Sequence, residues 1–318
     1  MTNNNTVQQT TMARGHHPRR GAWRKDAYRY ALLLPALIAT AVFCYLPFAG
    51  IAIAFKDYDI IKGFGNSPWV GLENFRLLFS SPDMMRVVWR TMVYSFVIMF
   101  VSFPFPIILA LMFNELRGKM FKRVSQTVMY LPHFLSMITV VGMFYSALSV
   151  NGPVNMLLKN VIGDSYIPKN ILLDSNYFLS VIFSVNLWKE LGWSSVIFMA
   201  AIMGVDKSLY ESAAIDGCGR FAQVWHVTLP GIFGTIVILL VMQIGQIFNL
   251  SFELVYGFQN LYTQNATDVI NTLIYRQGIV NGNYSVATAF GLAQGVVSIT
   301  LVLIANTLSK RLFSISIW

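Results

Sequence analysis

Charged residues are scarce in this sequence and absent from several long stretches of it. Only 12% of the 318 residues are charged and 55% are hydrophobic, whereas soluble domains carry about 25% charged residues. Five long stretches have no charge at all: residues 30–55, 91–114, 124–158, 221–252 and 277–309. Each exceeds the roughly 20 residues that cross a hydrocarbon core about 30 Å thick. The pattern argues against a soluble domain and predicts an integral, all-α membrane protein.

Cysteines and histidines are also few, and the sequence lacks the common phosphate-binding motif of ATPases. The two cysteines, Cys44 and Cys218, fall in a predicted membrane span and a predicted cytoplasmic loop, so we expect no disulfide. The four histidines show no spacing typical of metal ligands, and we predict no metal site. The sequence contains no G-x-x-x-x-G-K-[ST] loop, the motif that cradles the phosphates of ATP. We therefore predict that the chain is not an enzyme and holds no cofactor of its own.

Basic residues concentrate on one side of the predicted membrane helices. We place six helices at about residues 30–54, 87–113, 125–149, 178–203, 232–255 and 285–308. With a cytoplasmic amino terminus, the inside segments carry fourteen basic and five acidic residues, and the rest of the chain carries nine of each. Excess Lys and Arg mark the cytoplasmic side, so both ends of the chain are predicted to be cytoplasmic. Nucleic-acid binding is disfavoured, because the basic residues are not interleaved with stacking aromatics on one face.

These assignments divide the chain into four parts. Residues 1–29 form a basic cytoplasmic tail, and residues 30–86 hold the first membrane helix and an extracytoplasmic loop. Residues 87–308 form the transmembrane core, which includes a long cytoplasmic connection over residues 204–231. Residues 309–318 form a second cytoplasmic tail.

The connection over residues 204–231, hereafter the 204–231 loop, is the most informative segment. Residues 207–215 are predicted to form a short amphipathic helix, because apolar and small residues recur at spacings of three and four. Gly217 and Gly219 can end this helix with positive φ angles. Small side chains would let another protein approach closely, and the segment's carboxylates offer hydrogen-bond acceptors. On these features alone, an ordinary helix at the membrane interface is an equal alternative.

The same loop resembles the EAA loop of permeases in binding-protein-dependent ABC importers. That pattern has Glu-Ala-Ala, a glycine six residues after the glutamate, and Ile-x-Leu-Pro ten residues beyond it. Ser212 stands here for the first alanine and Val227 for the isoleucine. With Asp216 included, the residues assigned to contact with an ATPase are Glu211, Ser212, Ala213, Asp216, Gly217, Leu229 and Pro230.

Other stretches resemble the carbohydrate-uptake members of that family. Residues 69–75, Trp-Val-Gly-Leu-Glu-Asn-Phe, are similar to an extracytoplasmic stretch of sugar permeases. Residues 45–58 and 188–193 are similar to the branch that serves oligo- and polysaccharides, including alginate importers. The resemblance implies a type I ABC importer permease-like bundle of six transmembrane helices in the inner membrane.

The resemblance also implies partners. The 204–231 loop would carry a coupling helix that docks onto a pair of cytoplasmic ATPase subunits, and those subunits would use the ATP. A second permease, expected to form a heterodimer with this chain, and an extracytoplasmic solute-binding protein would complete the importer. The substrate would be a carbohydrate, an oligo- or polysaccharide that includes acidic ones such as alginate.

Polar side chains form stripes on two of the predicted membrane helices, and such residues are candidates for a transport path. At 100° per residue, the stripe on the fourth helix is about 100° wide and that on the fifth about 120°. Amides and indoles suit a sugar through hydrogen bonds and ring stacking. The alternative role is hydrogen bonding between helices or, for the last residue of the set, a place at the outer interface. The predicted path residues are Asn186, Lys189, Trp193, Gln243, Gln246, Asn249 and Glu253.

Two other transporter classes are alternatives. A secondary transporter could use the same polar stripes, but inverted internal repeats with broken helices are typical of that class, and the sequence shows no such halves. An ABC permease for peptides or amino acids would share the EAA-like loop and differ in its path residues.

Overall fold

The computed structural model describes the backbone of residues 22–317 and the side chains of residues 29–317. Most of the basic tail expected over residues 1–29 therefore lies outside the described residues. The described chain is helical, and its one pairing of strand type is an isolated antiparallel bridge between Lys56 and Trp69. The described chain divides into two compact units, one that ends at residue 52 and one that begins at residue 53.

The helices follow one another with short connections. The α-helices of the described residues are α1 (Ala22–Thr40), α2 (Gly63–Asn66), α3 (Glu73–Ser80), α4 (Pro82–Phe96), α5 (Pro104–Glu115), α6 (Lys119–Tyr130), α7 (Met137–Leu148), α8 (Pro153–Ile162), α9 (Phe178–Met203), α10 (Lys207–Ile215), α11 (Arg220–Gln223), α12 (Leu229–Ile244), α13 (Phe252–Phe258), α14 (Gln264–Thr267), α15 (Ile270–Tyr275) and α16 (Tyr284–Phe313). Turns of π-helix lie at Ala41–Tyr45, Val97–Val101, Val224–Thr228 and Arg276–Val280, and turns of 3₁₀-helix at Leu46–Phe55, Leu131–Phe134, Ile171–Leu173 and Ser175–Tyr177.

Five helical segments of the described chain are long and apolar enough to cross a membrane. They are Arg29–Phe55, Pro82–Glu115, Met137–Ile162, Arg220–Ile244 and Tyr284–Phe313. The remaining predicted helix, the fourth along the chain, is α9, which has the expected bounds and 26 residues, about 39 Å at 1.5 Å per residue. It is more polar than the other five because Lys189, Glu190 and several amide and hydroxyl residues lie on it.

Helix α9 is central to the second unit. It packs against α5, α6, α12 and α13, and two of its polar residues, Lys189 and Ser195, are buried among these helices, where polar groups at membrane depth are usually found. Three apolar clusters hold the unit together: one between α7, α9 and α13, one between α5, α9 and α12, and one between α3, α15 and α16. Their buried members include Val140, Ile182, Phe258, Phe113, Phe198, Ile232, Leu78, Ile270 and Phe290.

Gly192 allows α9 to approach α6 closely. A Cβ atom at this position would overlap the backbone carbonyl of Met129. Small residues permit such backbone contact between membrane helices. The chain therefore requires glycine here for packing rather than for backbone freedom.

The third predicted helix is broken where we expected one helix over residues 125–149. Helix α6 ends at Tyr130, a 3₁₀ turn containing Pro132 follows, and α7 begins at Met137. Pro132 has no backbone N–H and so cannot donate the hydrogen bond that would continue the α-helix, and the chain turns to extended geometry at Leu135, where ψ is 139°. The Ser136 side chain then caps α7 by accepting a hydrogen bond from the Thr139 N–H at 3.2 Å.

The fifth predicted helix, expected over residues 232–255, is also wrong at its end. Helix α12 stops at Ile244, and α13 starts anew after Ser251, whose side chain accepts from the Leu254 N–H at 3.3 Å. Gln246 and Asn249 therefore lie in a non-helical link. The angular positions expected for these two residues on an uninterrupted helix, and with them their place in the predicted polar stripe, are therefore wrong. The cause is local, because a glycine at 245 and a capping serine at 251 bound the link.

Candidate functional site

Helix α10 has the bounds predicted for the short helix of the 204–231 loop. Asp206 begins it, and its carboxylate accepts a hydrogen bond from the Ser208 N–H at 2.9 Å. This backbone hydrogen bond lowers the pKa of Asp206, because it favours the ionised form. An ionised aspartate at the start of a helix also complements the helix dipole.

The end of α10 is closed by a Schellman motif. The Cys218 N–H donates to the Ala213 carbonyl at 2.9 Å, and the Gly217 N–H donates to the Ala214 carbonyl at 3.1 Å. Gly217 has the predicted positive φ, 79°. The same expectation is wrong for Gly219, whose φ is −68° and which instead precedes α11. One left-handed residue is enough to close the helix, so Gly219 is free to adopt ordinary extended geometry.

Side-chain hydrogen bonds attach α10 to the beginning of the next membrane helix. The Tyr210 hydroxyl lies 3.0 Å from the Thr228 hydroxyl, and Thr228 is buried at the start of α12. Arg220 lies 3.4 Å from Glu115 at the end of α5. Helix α10 is thus joined directly to α12, and the 204–231 loop is joined to α5 through Arg220 of α11, so motion of the loop would be transmitted to both membrane helices.

The outer face of α10 is exposed, and its carboxylates have no partner within the described residues. Glu211 and Asp216 are exposed, and within residues 29–317 their side chains make no hydrogen bond or ion pair. Leu209 is 51% exposed and Ile215 is 86% exposed. A small exposed surface with unpaired carboxylates beside apolar side chains is suited to contact with another protein.

The remaining predicted contact residues are distributed over the loop. Ser212 is exposed beside Glu211, and Ala213 is partly buried under the Schellman closure. Leu229 packs against the apolar cluster of α5, α9 and α12, and Pro230 lies in the first turn of α12. Leu229 therefore anchors the loop in the bundle, whereas Pro230 is exposed.

A cavity of about 340 Å³ lies between α5, α9 and α12. We call it the membrane cavity. Its polar lining residues are Ser102, Asn186, Glu190, Ser194, Gln243 and Gln246, and apolar side chains such as Phe103 and Leu239 form the rest of its wall. Such a mixture of apolar wall and a few polar groups is typical of small-molecule sites.

Of the predicted path residues, the membrane cavity brings together Asn186, Gln243 and Gln246. Asn249 is next to them and donates a hydrogen bond to Gln246 Oε1 at 2.8 Å, but it is not part of the wall. Glu253 lies in the first turn of α13, exposed, and accepts from the Ser251 hydroxyl at 3.2 Å. The break after α12 separates these last residues from the cavity.

Lys189 and Trp193 belong to a polar cluster behind the cavity wall. Lys189 is buried and donates to the His133 carbonyl at 2.6 Å. Glu190 lies 2.9 Å from His133 Nδ1 and 3.7 Å from Lys189 Nζ. Trp193 stacks on the His133 ring with centroids 4.7 Å apart. The break in the third helix makes this cluster, because it turns His133 towards α9.

Sequence reasoning misses Ser102 and Ser194 as cavity residues, and it includes Glu190 in the polar stripe of the fourth helix without assigning it to the path. Asn186, Glu190 and Ser194 recur every four residues on α9 and so share one face, a signal that was available. Ser102 follows a π turn, and no periodic pattern could have placed it opposite α9. The sequence alone gives no sign that His133 meets α9.

Comparison with known proteins identifies the family. Residues 102–314 match the family described as binding-protein-dependent transport system inner membrane component. The chain belongs to this family. Members are inner-membrane, multi-pass permease subunits of ABC importers.

Two curated members of this permease family from Bacillus subtilis (strain 168) are similar over nearly the whole chain. Protein LplB is 40% identical over 291 residues, 91% of each chain. The polygalacturonan/rhamnogalacturonan transport system permease protein YteP is 39% identical over 288 residues, 90% of this chain and 89% of YteP.

Solved structures show the same permease fold. A chain of a bacterial ABC transporter involved in the import of the acidic polysaccharide alginate is 36% identical, with a TM-score of 0.83 over 92% of this chain and 98% of that chain. A chain of a bacterial alginate ABC transporter, in complex with an alginate pentasaccharide-bound periplasmic protein, gives a TM-score of 0.84 at 36% identity, over 93% and 100%. The predicted type I ABC importer permease fold is confirmed.

Proposed function

We propose that this chain is the permease subunit of an ATP-driven saccharide importer and forms one wall of its translocation path. The observation that carries the proposal is its similarity along nearly its full length to a chain of an alginate importer. YteP, at similar identity, is named for two other polysaccharides. The two solved structures are both of alginate ABC transporters, and for one of them alginate is described as an acidic polysaccharide. Relatives named for polysaccharide transport therefore support a saccharide as the substrate of this chain.

The membrane cavity supports a saccharide substrate. Its amide and hydroxyl groups can donate and accept hydrogen bonds with sugar hydroxyls. The wall of the membrane cavity contains Glu190 and no Lys or Arg. The carboxylates of an acidic saccharide would therefore have to be recognised elsewhere on the importer.

We further propose the partners that such an importer needs. A pair of cytoplasmic ATPase subunits would bind and hydrolyse the ATP, since this sequence has no phosphate loop and no cofactor is expected in this chain. An extracytoplasmic solute-binding protein would deliver the saccharide. A second permease would form the opposite wall of the path as a heterodimer partner. The exposed residues Glu211, Ser212 and Asp216 on and beside α10 supply a surface for the ATPase.

The connection between α10 and the membrane cavity supplies a mechanism. The 204–231 loop joins α9 to α12, and both of these helices line the cavity. Helix α12 begins beside Thr228, which contacts Tyr210 of α10, and carries Gln243 near its other end, about 21 Å away at 1.5 Å per residue. Closure of the ATPase pair would move α10 and tilt α9 and α12 together. A rigid-body change of this kind switches access between the two sides of the membrane.

The proposed orientation puts both ends of the chain and the 204–231 loop in the cytoplasm. The fourteen basic residues of the inside segments support it. Cysteine accessibility to a membrane-impermeant reagent tests it directly. Cysteines at Gly65, Asn160 or Asn265 should react from outside, and cysteines at Lys119 or Asp206 should not. Reaction with the opposite pattern would contradict the orientation.

Reconstitution tests the function. The purified chain should hydrolyse no ATP, and the complex with its ATPase and second permease should import a labelled oligosaccharide when the loaded binding protein and ATP are present. Uptake without ATP, driven by an ion gradient, would favour a secondary transporter. ATP-dependent uptake of peptides or amino acids and of no saccharide would contradict the substrate class.

A further inference from the structure

A second polar cavity, of about 580 Å³, lies outside the membrane cavity and has the opposite charge. It is formed by the start of α4, the link after α14 and the π turn at Arg276–Val280. We call it the arginine cavity, because its charged and amide lining includes Arg86, Arg90, Arg276, Asn265, Gln277 and Asn281. In the proposed orientation it faces the extracytoplasmic side.

Two of the three arginines are neutralised by carboxylates. Arg276 forms an ion pair with Asp268, which is buried. Asp268 also accepts from the Thr272 hydroxyl at 3.0 Å and from the Gln259 amide at 3.2 Å, so its oxygens are occupied. Arg86 forms an exposed ion pair with Asp83.

Arg90 is left without a carboxylate in the described part of the chain. It is partly buried and donates to the backbone carbonyls of Asn265 and Asp268, each at 3.2 Å. Neutral carbonyls do not cancel its charge, and Arg86 stands one helical turn away on the same face of α4. The arginine cavity thus holds one positive charge more than its acidic residues balance.

An uncompensated guanidinium in a cavity lined by amides is suited to an anion that also carries hydroxyl groups. Arginine binds carboxylates through two parallel N–H bonds. Side-chain amides such as Asn265 and Gln277 can pair with hydroxyls. The membrane cavity cannot provide this recognition, because its wall has Glu190 and no cation.

We propose that the arginine cavity binds a uronate unit, a sugar ring with a carboxylate, of the saccharide before it enters the membrane path. This inference rests on the proposed function and adds to it the charge of the substrate and the place where that charge is recognised. A carboxylate from a docking protein side chain would satisfy Arg90 too. The volume and the amide lining favour a whole sugar ring, since a single side chain would leave most of 580 Å³ empty.

Binding to the assembled importer without its binding protein tests the proposal, because that protein's own specificity then plays no part. The importer in nanodiscs is titrated with trigalacturonate and with its uncharged methyl ester, by saturation-transfer NMR. We expect the acid to bind and the ester to bind much more weakly. Arg90→Gln should weaken binding of the acid by about tenfold or more, the loss that follows when a hydrogen bond to a charged group is removed. Arg86→Gln should weaken it by a smaller factor, because Arg86 is already paired with Asp83.

Matched variants keep the result interpretable. Arg76→Gln removes the same charge from an exposed position on α3, outside the cavity, and should leave binding unchanged. Arg90 also holds two backbone carbonyls, so Arg90→Lys keeps the charge and should retain more binding than Arg90→Gln. Arg86 is exposed and its replacement should not affect folding, so it carries the test if Arg90→Gln fails to assemble.

Three results would overturn the proposal: equal binding of acid and ester, binding unaffected by both arginine replacements, or arginine replacements that weaken only the docking of the binding protein. The last would assign the cavity to a protein carboxylate. ATP hydrolysis stimulated by a saccharide-loaded binding protein is measured in parallel. If that stimulation is present while trigalacturonate does not bind, the inference fails and the proposed function stands. If no saccharide stimulates hydrolysis, the proposed function itself fails.

Discussion

The 204–231 loop and the membrane cavity differ in how far apart in the chain their residues lie. The loop is one continuous segment, and most of its shape comes from hydrogen bonds spanning a few residues, such as Cys218 to Ala213. The membrane cavity collects residues from 102 to 246 across three helices. The contrast teaches that the first site is specified by local chemistry and the second by the packing of the bundle.

The carboxylates of the two regions also differ, in whether a partner within the chain pairs with them. Glu211 in the loop is exposed and has no partner within the described residues, whereas Glu190 at the cavity is held by His133 and Lys189. An unpaired surface carboxylate can bind a donor from another protein. A paired carboxylate in a cavity wall supports a fixed shape. Substitutions in the two regions should therefore produce different defects.

The largest effect should come from Glu211→Lys. If the carboxylate meets a donor of the ATPase in a desolvated contact, its reversal should cost about 2–5 kcal/mol of association free energy. The chain should still insert, because Glu211 is exposed. Membrane level and co-purification of the ATPase measure this. Asp164→Lys, an exposed charge reversal between α8 and α9, is the control and should retain the ATPase.

Gly217→Val should give the next largest effect. A side chain at φ 79° costs about 1–2 kcal/mol, and a β-branched one more, so the Schellman closure should open. We expect saccharide-stimulated ATP hydrolysis to fall about tenfold, the factor that corresponds to about 1.4 kcal/mol. Gly219→Ala is the matched control, since its φ is −68° and a Cβ there meets nothing within 4 Å. Equal hydrolysis in both variants would contradict a role for the cap.

Gly192→Leu should damage the cavity through packing. The added side chain would overlap the Met129 carbonyl and separate α9 from α6, at a cost of about 1–3 kcal/mol for overpacking. The thermal midpoint of the purified complex should fall, as measured by loss of monodisperse protein on heating. Gly142→Ala, at a position in α7 where a Cβ meets nothing within 4 Å, should have no such effect. An unchanged midpoint for Gly192→Leu would contradict the close contact.

Gln243→Ala should give the smallest effect of the four. Loss of one hydrogen bond to a sugar hydroxyl is worth about 0.5–1.5 kcal/mol, which corresponds to a rise of about twofold to thirteenfold in the KM of uptake. Asn186→Ala should behave alike. Asn249→Ala should change uptake less, because Asn249 only contacts Gln246 from outside the wall. Normal uptake with weakened assembly would instead assign these amides to contacts between helices.

The sequence therefore predicts the 204–231 loop more completely than it predicts the membrane cavity. The bounds of α10 and the left-handed Gly217 follow from residues within one short segment, and the structure has both. The breaks at Leu131–Phe134 and after Ile244 depend on single prolines, glycines and capping serines inside apolar runs. A hydropathy profile does not detect such single residues and so does not predict the breaks. Those breaks decide that His133 meets α9 and that Asn249 leaves the cavity wall.

The central claim is that the 204–231 loop drives the transport cycle and that the membrane cavity handles the saccharide. Its most direct test compares Glu211→Lys with Gln243→Ala in the same proteoliposomes, measuring saccharide-stimulated ATP hydrolysis and uptake together. The account predicts that Glu211→Lys loses both activities, and that Gln243→Ala keeps stimulated hydrolysis while its uptake at low saccharide concentration falls. Wild-type stimulated hydrolysis in Glu211→Lys, or the same defect in both variants, would contradict it.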